Sequence, residues 1–192
     1  MLRLLSLSFQ VQSLRSKPSP KKSKETDPSE ERDAVDKILA QWHQERPDLD
    51  VSPMGLIGRT TRLASYLRKA IGKTFVEYGL QPGEFDVMAT LRRSGAPYQL
   101  SPTELFKTMM VSSGTMTNRI DRLEDAGLVE RIPDERDRRA SFIHLTDKGF
   151  SLIDEAVTAH VANEHKIISA LNTKEREALT GLLSKLLRSL EN

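Results

Sequence analysis

Thr117, Asn118 and Arg122 share one side of the amphipathic stretch "SSGTMTNRIDRLEDAGL". At roughly 100° per residue, Met116, Ile120 and Leu123 fall within about 60° of one another on the other side, a stripe that calls for burial. The outward set has a clear chemistry. Arginine can grip guanine with two hydrogen bonds, asparagine can do the same for adenine, and threonine can meet a phosphate or a thymine methyl. Ser113 and Thr115 add hydroxyls at the first turn of the same stretch. Standing alone, such a helix reads as an ordinary solvated face, so its neighbours decide. Downstream, "PDERDRRA" carries Arg136, Arg138 and Arg139 on a predicted hairpin tip. Arginines on a projecting turn can enter a narrow A·T-rich minor groove, where the potential is most negative. From Val111 to Thr146 there are six arginines and seven acids, so this segment is not basic overall. DNA contact here depends on presenting some arginines while others pair with neighbouring carboxylates.

Arg119 lies on the same helix but about 40° from Leu123, at the edge of the buried stripe. A partly buried arginine needs an anion, either a structural carboxylate, the commoner case, or a ligand. Arg131 at the base of the hairpin and Asp86 early in an upstream helix are similar charges beside apolar runs. Taken singly, each reads as structural. His160, Glu164 and His165 lie close along one helix, but no compact ligand set surrounds them, and no metal is expected. The chain has no cysteine, which excludes disulfides and thiolate chemistry. It shows no phosphate-binding glycine loop, no Ser/His/Asp set and no paired carboxylates at a known motif. Neither catalysis nor a cofactor is expected.

The elements that must position these groups are helical. With 192 residues, 38% hydrophobic and 29% charged, the chain has room for one domain with a dimerisation lobe. The net charge of +2 means that affinity for nucleic acid must come from placement rather than bulk charge. No apolar run approaches the roughly 18 residues that span a bilayer, and a cytoplasmic location is expected. Residues 1–32 read as a disordered basic arm and linker, or as an over-long start of the reading frame. The first 24 residues hold six Lys/Arg and no acid, without the unbroken apolar run and small-residue cleavage site of a signal peptide.

Asp33 can cap a short helix over 33–46, with Val35, Ile38, Leu39 and Trp42 as its stripe and Pro47 as its stop. Trp42 is the only tryptophan, and packing against a core is its default reading. A longer helix follows over 54–78. "LQPGEF" turns into a third, with Phe85, Met88 and Leu91 inward. "SPTEL" is a capping box with proline at the first helical position, opening a helix that ends near Met109. A short helix, a tight turn and the polar-faced helix ending at Gly127 form a helix-turn-helix. "LVERI" and "SFIHL" are two strands of a hairpin. Thr146 starts a long helix and Thr173 is expected to cap the last one. There Leu179, Leu182, Leu183, Leu186, Leu187 and Leu190 are too many apolar groups for a solitary terminal helix, and they predict a second subunit.

This order of elements, with "SSGTMTNRIDRLEDAGLVERIPDERDRRASFIHLTDKG" and "LNTKEREALTGLLSKL", resembles the MarR family of dimeric winged-helix regulators over about residues 54–190. Asp137-Arg138-Arg139 followed by Leu145-Thr146 carry it most strongly. "ILAQWHQERPDLDVSPMGLIGR" is further similar to the PecS-like, urate-responsive branch with its added N-terminal helix. The resemblance implies a mainly α fold: a winged helix-turn-helix lobe over 83–146, dimerisation helices over 54–78 and 147–192, and the added helix over 33–46 of a 33–192 domain. It also implies a homodimer on double-stranded DNA, released by an aromatic anion such as urate. The implied ligand set is Trp42, Asp86, Arg119 and Arg131. The implied DNA set is Ser113, Thr115, Thr117, Asn118, Arg122, Arg136, Arg138 and Arg139. A phenolic acid or xanthine in place of urate, and a winged helix that binds protein instead of DNA, are the alternatives.

Overall fold

The computed structural model describes residues 32–109, 116–134 and 141–191. Ser113, Thr115, Arg136, Arg138, Arg139 and residues 1–31 of the arm lie outside the described residues. The chain divides into two units, Met1–Leu56 and Ile57–Asn192.

The first unit holds α1 (Ala34–Glu45) and the start of α2 (Ser52–Glu77). Asp33 caps α1 as expected: its carboxylate accepts from the Val35 and Asp36 amides, and Asp36 returns a bond to the Asp33 amide. The expected stripe is buried only at Val35, while Ile38 and Trp42 are 47% and 41% exposed. Helical periodicity marks an apolar face but does not say that this chain covers it.

The second unit continues α2 and adds α3 (Pro82–Arg93), β1 (Gln99–Leu100), α4 (Pro102–Thr108), α5 (Met116–Asp125), β2 (Val129–Pro133), β3 (Ser141–Leu145), α6 (Asp147–Ile167) and α7 (Thr173–Glu191). The sheet is antiparallel in the order β1-β3-β2, with Val129 opposite Leu145 and Gln99 opposite His144. β1 was not anticipated. Two residues carry no periodicity, and their strand character comes from pairing with β3.

The core is made of Leu80, Met88, Leu91, Leu105, Leu123, Ile143 and Ile153, all fully buried, so α3, α4, α5, β3 and α6 converge on it. Ser101 begins α4 through the anticipated box, accepting from the Glu104 amide at 3.2 Å while Glu104 accepts from the Ser101 amide at 3.0 Å. Arg93 then donates to the Thr108 carbonyl at 2.6 Å, tying α3 to the end of α4. At α7 the expected cap is corrected. Thr173 is already helical, and Asn172 caps instead, accepting from the Glu175 amide at 3.1 Å with Glu175 bonding back to its own amide. Asparagine is the stronger cap, and the reciprocal glutamate fits the Asn172 register. The result is a mainly α winged helix-turn-helix.

Candidate nucleic-acid interface and anion cleft

α5 is anchored through Ile120 and Leu123, both buried, with Met116 partly buried beside them. This apolar hold fixes which residues point outward. Thr117, Asn118 and Arg122 are exposed along the opposite side, as their spacing predicts. Arg122 is not idle there. Its guanidinium lies 3.4 Å from the Glu84 carboxylate, and the Glu84 side chain is only 9% exposed. Glu84 also accepts from the Gln81 amide at 2.8 Å, which seats it in the first turn of α3. Sequence reading had no partner for Arg122. The available signal was local: the "QPGE" turn places a glutamate at the third helical position, where it bends back toward the helix start.

Arg119 behaves as its edge position predicts, being partly buried. Its Nη1 is fully buried and has no hydrogen-bond partner. The guanidinium lies over Gly83, where an added Cβ would overlap Cζ and Nε of Arg119, so a side chain there would displace the guanidinium from this seat. Asp86 sits within electrostatic reach on α3. Burial pushes its carboxyl pKa up, against the pull of Arg119, Arg93 and His160. His160 is packed against Phe75 and Phe85, with ring centroids 5.3 and 5.1 Å away. Its Nε2 is 3.2 Å from the Glu164 carboxylate, and its Nδ1 is buried without a partner. His160 therefore joins this polar neighbourhood, which its position in sequence did not suggest.

A cleft of 390 Å³ opens between the first turn of α3, Gln81 to Glu84, and Asn118, Arg119 and Arg122 of α5. The cleft sets two arginines and the amide end of a helix beside the Glu84 carboxylate, which already pairs with Arg122 and accepts from the Gln81 amide, so Arg119 is the cation it offers to an anion. It joins one residue of the expected ligand set to two of the expected DNA set. Arg131 is placed elsewhere. It donates to Asp121 and Glu124 of α5 through its guanidinium, and its backbone amide also reaches Glu124 at 3.3 Å. Within its own unit, Trp42 is exposed. Among the described residues no group of three or more His, Asp and Glu could hold a metal ion, and no helix is long and apolar enough to cross a membrane.

A sequence model of the MarR family matches residues 80–141. The chain is 46% identical over 158 residues to the HTH-type transcriptional regulator PecS of Dickeya dadantii, a match covering 82% of this chain and 95% of that protein. It is 29% identical over 135 residues to the transcriptional repressor MprA of Escherichia coli, covering 68% and 76% respectively. A MarR family transcriptional regulator from Streptomyces coelicolor in complex with DNA aligns with a TM-score of 0.65 at 19% identity, over 75% of this chain and 91% of that one. A mutant MarR from E. coli complexed with operator DNA aligns with a TM-score of 0.60 at 22% identity, over 76% and 97%. At these identities the two structures are similar in fold.

Proposed function

From a chain that belongs to the MarR family of DNA-binding transcriptional regulators, we infer a repressor that grips a pseudo-palindromic operator as a two-fold dimer and is released by urate or a related purine anion. The observation that carries the DNA reading is the exposed row Thr117, Asn118 and Arg122 on a helix whose other side is buried at Ile120 and Leu123. One such helix per subunit would enter successive major grooves, with Ser113, Thr115, Arg136, Arg138 and Arg139 adding contacts.

The dimer is supported by α7, which buries no residue within one chain. We assign dimerisation to the helices of 54–78 and 147–192 and DNA reading to 83–146. The effector reading is supported by Arg119, whose buried Nη1 lacks a partner beside the half-buried Asp86. A flat monoanion offers a guanidinium both charge and carbonyl oxygens, and offers a carboxylate ring N–H donors. Trp42 and Arg131 are assigned to the response by the resemblance.

Drawing Arg131 toward an anion would cost its bonds to Asp121 and Glu124 and so disturb α5. DNA affinity then falls by the ligand's preference for the non-binding state, where a coupling of about 1–3 kcal/mol corresponds to about 5- to 150-fold.

The test is a titration of Trp42 fluorescence with urate, read beside retention of an operator duplex. Quenching that tracks DNA release is expected. No quenching, quenching with undiminished DNA binding, or release by a phenolic acid where urate fails would overturn the assignment. Trp42→Phe should preserve the fold and weaken the response.

A further inference from the structure

Arg122 extends a long side chain from the exposed row of α5, and a free arginine of this kind samples many rotamers. Glu84 restrains it. The carboxylate belongs to the first turn of α3, where Pro82 stands at the helix start and the Glu84 amide donates to the Gln81 carbonyl at 2.9 Å. Its Oε2 accepts from the Gln81 amide at 2.8 Å, and the neighbouring Phe85 ring stacks on Phe75 with centroids 4.0 Å apart. Just before the turn, the amide of the buried Leu80 donates to the Phe75 carbonyl at 3.0 Å. The start of α3 is therefore anchored on both sides of Glu84, and the second carboxylate oxygen, Oε1, lies 3.4 Å from Nη1 of Arg122.

The two partners differ in what they draw from the pair. The side chain of Glu84 is nearly buried, whereas that of Arg122 is 65% exposed. A carboxylate so covered has lost most of its water and favours a cation, while an exposed arginine keeps its hydration and adds little stability by pairing. Nor does the pair hold α5 in place, which Ile120 and Leu123 do by burial. What it fixes is the guanidinium. Clefts of 390 and 440 Å³ are both lined by Gln81, Glu84 and Arg122, so the pair stands beside open space and Glu84 steadies the arginine there. Nη1 is the atom that Glu84 engages, which leaves the remaining N–H donors of the fork to a duplex.

We propose that Glu84 is a positioning residue for DNA recognition: it holds one edge of the Arg122 guanidinium against the start of α3, so that the other edge meets a duplex whose groups fall at that point. This rests on the reading of α5 as the DNA-contacting helix. Without the restraint the duplex itself must order the arginine, and ordering one such side chain corresponds to about 2- to 10-fold in affinity. A mobile arginine also finds a phosphate on any duplex, so the loss falls on discrimination.

The test uses the full chain with Glu84→Gln, Glu84→Asp, Arg122→Ala and the double variant Glu84→Gln/Arg122→Ala. Affinity is measured for a duplex recovered by in-vitro selection on the wild-type chain and for an unrelated duplex of equal length across a salt series, with melting and molecular mass recorded. Glutamine keeps its single carbonyl oxygen for the Gln81 amide, as the third position of a capping box allows, and turns an NH2 group toward Arg122. Glu84→Gln should lower the preference for the selected duplex by about 2- to 10-fold, with affinity for the unrelated duplex equal or higher because a negative charge is gone. Glu84→Asp keeps the charge but draws it back by a methylene. It should lower the preference with no gain for the unrelated duplex, and it decides alone if the glutamine variant does not fold. With Arg122→Ala already present, Glu84→Gln should change the preference no further. Full preference in Glu84→Gln, or the same loss from it once Arg122 is removed, overturns the proposal. Equal loss for both duplexes overturns it too, since that marks general destabilisation, as does an equal gain for both, which marks the lost charge alone. If Arg122→Ala weakens neither duplex, Arg122 is no DNA contact and the proposal falls with it. A wild-type chain with no salt-sensitive affinity for any duplex overturns the DNA reading itself.

Discussion

The winged helix-turn-helix lobe and the last helix spend leucine in opposite ways. Leu91 and Leu105 are 0% exposed and Leu123 is 2% exposed, each covered by other elements of the same unit. In α7, Leu182, Leu183, Leu187 and Leu190 are 67%, 46%, 55% and 76% exposed, and the helix buries nothing. The α7 leucines recur at three- and four-residue spacing, and Leu91 and Leu123 sit in stripes of the same spacing with Met88 and Ile120, so periodicity cannot separate the two sets. What separates them is supply. The lobe brings a sheet and three helices to its leucines, whereas a single chain brings nothing sufficient to α7. An apolar patch of this size on one chain marks a surface meant for a partner, and the proposed dimer gives the α7 leucines the cover that the lobe finds at home.

The largest effect is expected where that contrast is attacked directly. Leu183→Asp combined with Leu187→Asp puts two charges per subunit into the proposed interface, where each leucine would contribute about 1.5–3 kcal/mol by burial. Sedimentation should show a monomer, and operator affinity should fall by more than about a hundredfold, with the lobe still folded. Leu91→Ala is the counterpart in the lobe. It should cost about 2–5 kcal/mol in denaturant melts, independently of protein concentration. If the α7 variant instead stayed dimeric and melted like Leu91→Ala, the two leucine sets would be equivalent and the comparison would fail.

The same contrast explains what the sequence made legible. Signals that close within a few residues were readable: the Ser101-Pro102-Glu104 start of α4, the Asp33 cap and the buried edge position of Arg119 follow from local bonding and a 100° step. Features that need a distant partner were not. β1 exists because Gln99 and Leu100 meet His144 and Ile143 of β3. Arg122 meets Glu84, and Arg131 meets Asp121 and Glu124, pairings invisible to a one-helix projection. Trp42 and Ile38 show the converse, an apolar stripe that was correctly periodic and yet exposed. For the site, the outward row of α5 was legible, while the Gly83 seat under Arg119 required three dimensions.

Within the lobe, Arg122 and Arg119 repeat the comparison on a smaller scale, one outward and one at the buried edge. Arg122→Ala should weaken operator binding by about 1–3 kcal/mol with relaxed sequence preference if it reaches a base, or weaken binding to all duplexes alike with a salt slope reduced by about one if it reaches a phosphate. It should leave the urate response intact. A change in effector response with unchanged DNA affinity would exchange the roles of the two arginines.

The smallest effect is the most informative about the cleft. Burial raises the Asp86 pKa, opposed by Arg119, Arg93 and His160. A carboxyl raised in the folded state holds its proton more tightly folded than unfolded, so its stabilising contribution is present below the unfolded pKa and is lost as pH rises through the folded value. At neutral pH the chain therefore carries a charge that water would hold better. Asp86→Asn removes that charge at nearly constant shape. Its melting temperature should lie slightly above wild type near about pH 7, and the gap should close as pH falls toward about 4, where the wild-type carboxyl takes up its proton. The gain is modest because Asp86 is only half-buried and solvent screens it. A lower melting temperature at neutral pH would mean that the attraction to Arg119 outweighs desolvation. Asp86 would then be the structural anion that Arg119 requires, and the case for an effector between them would lose its charge donor.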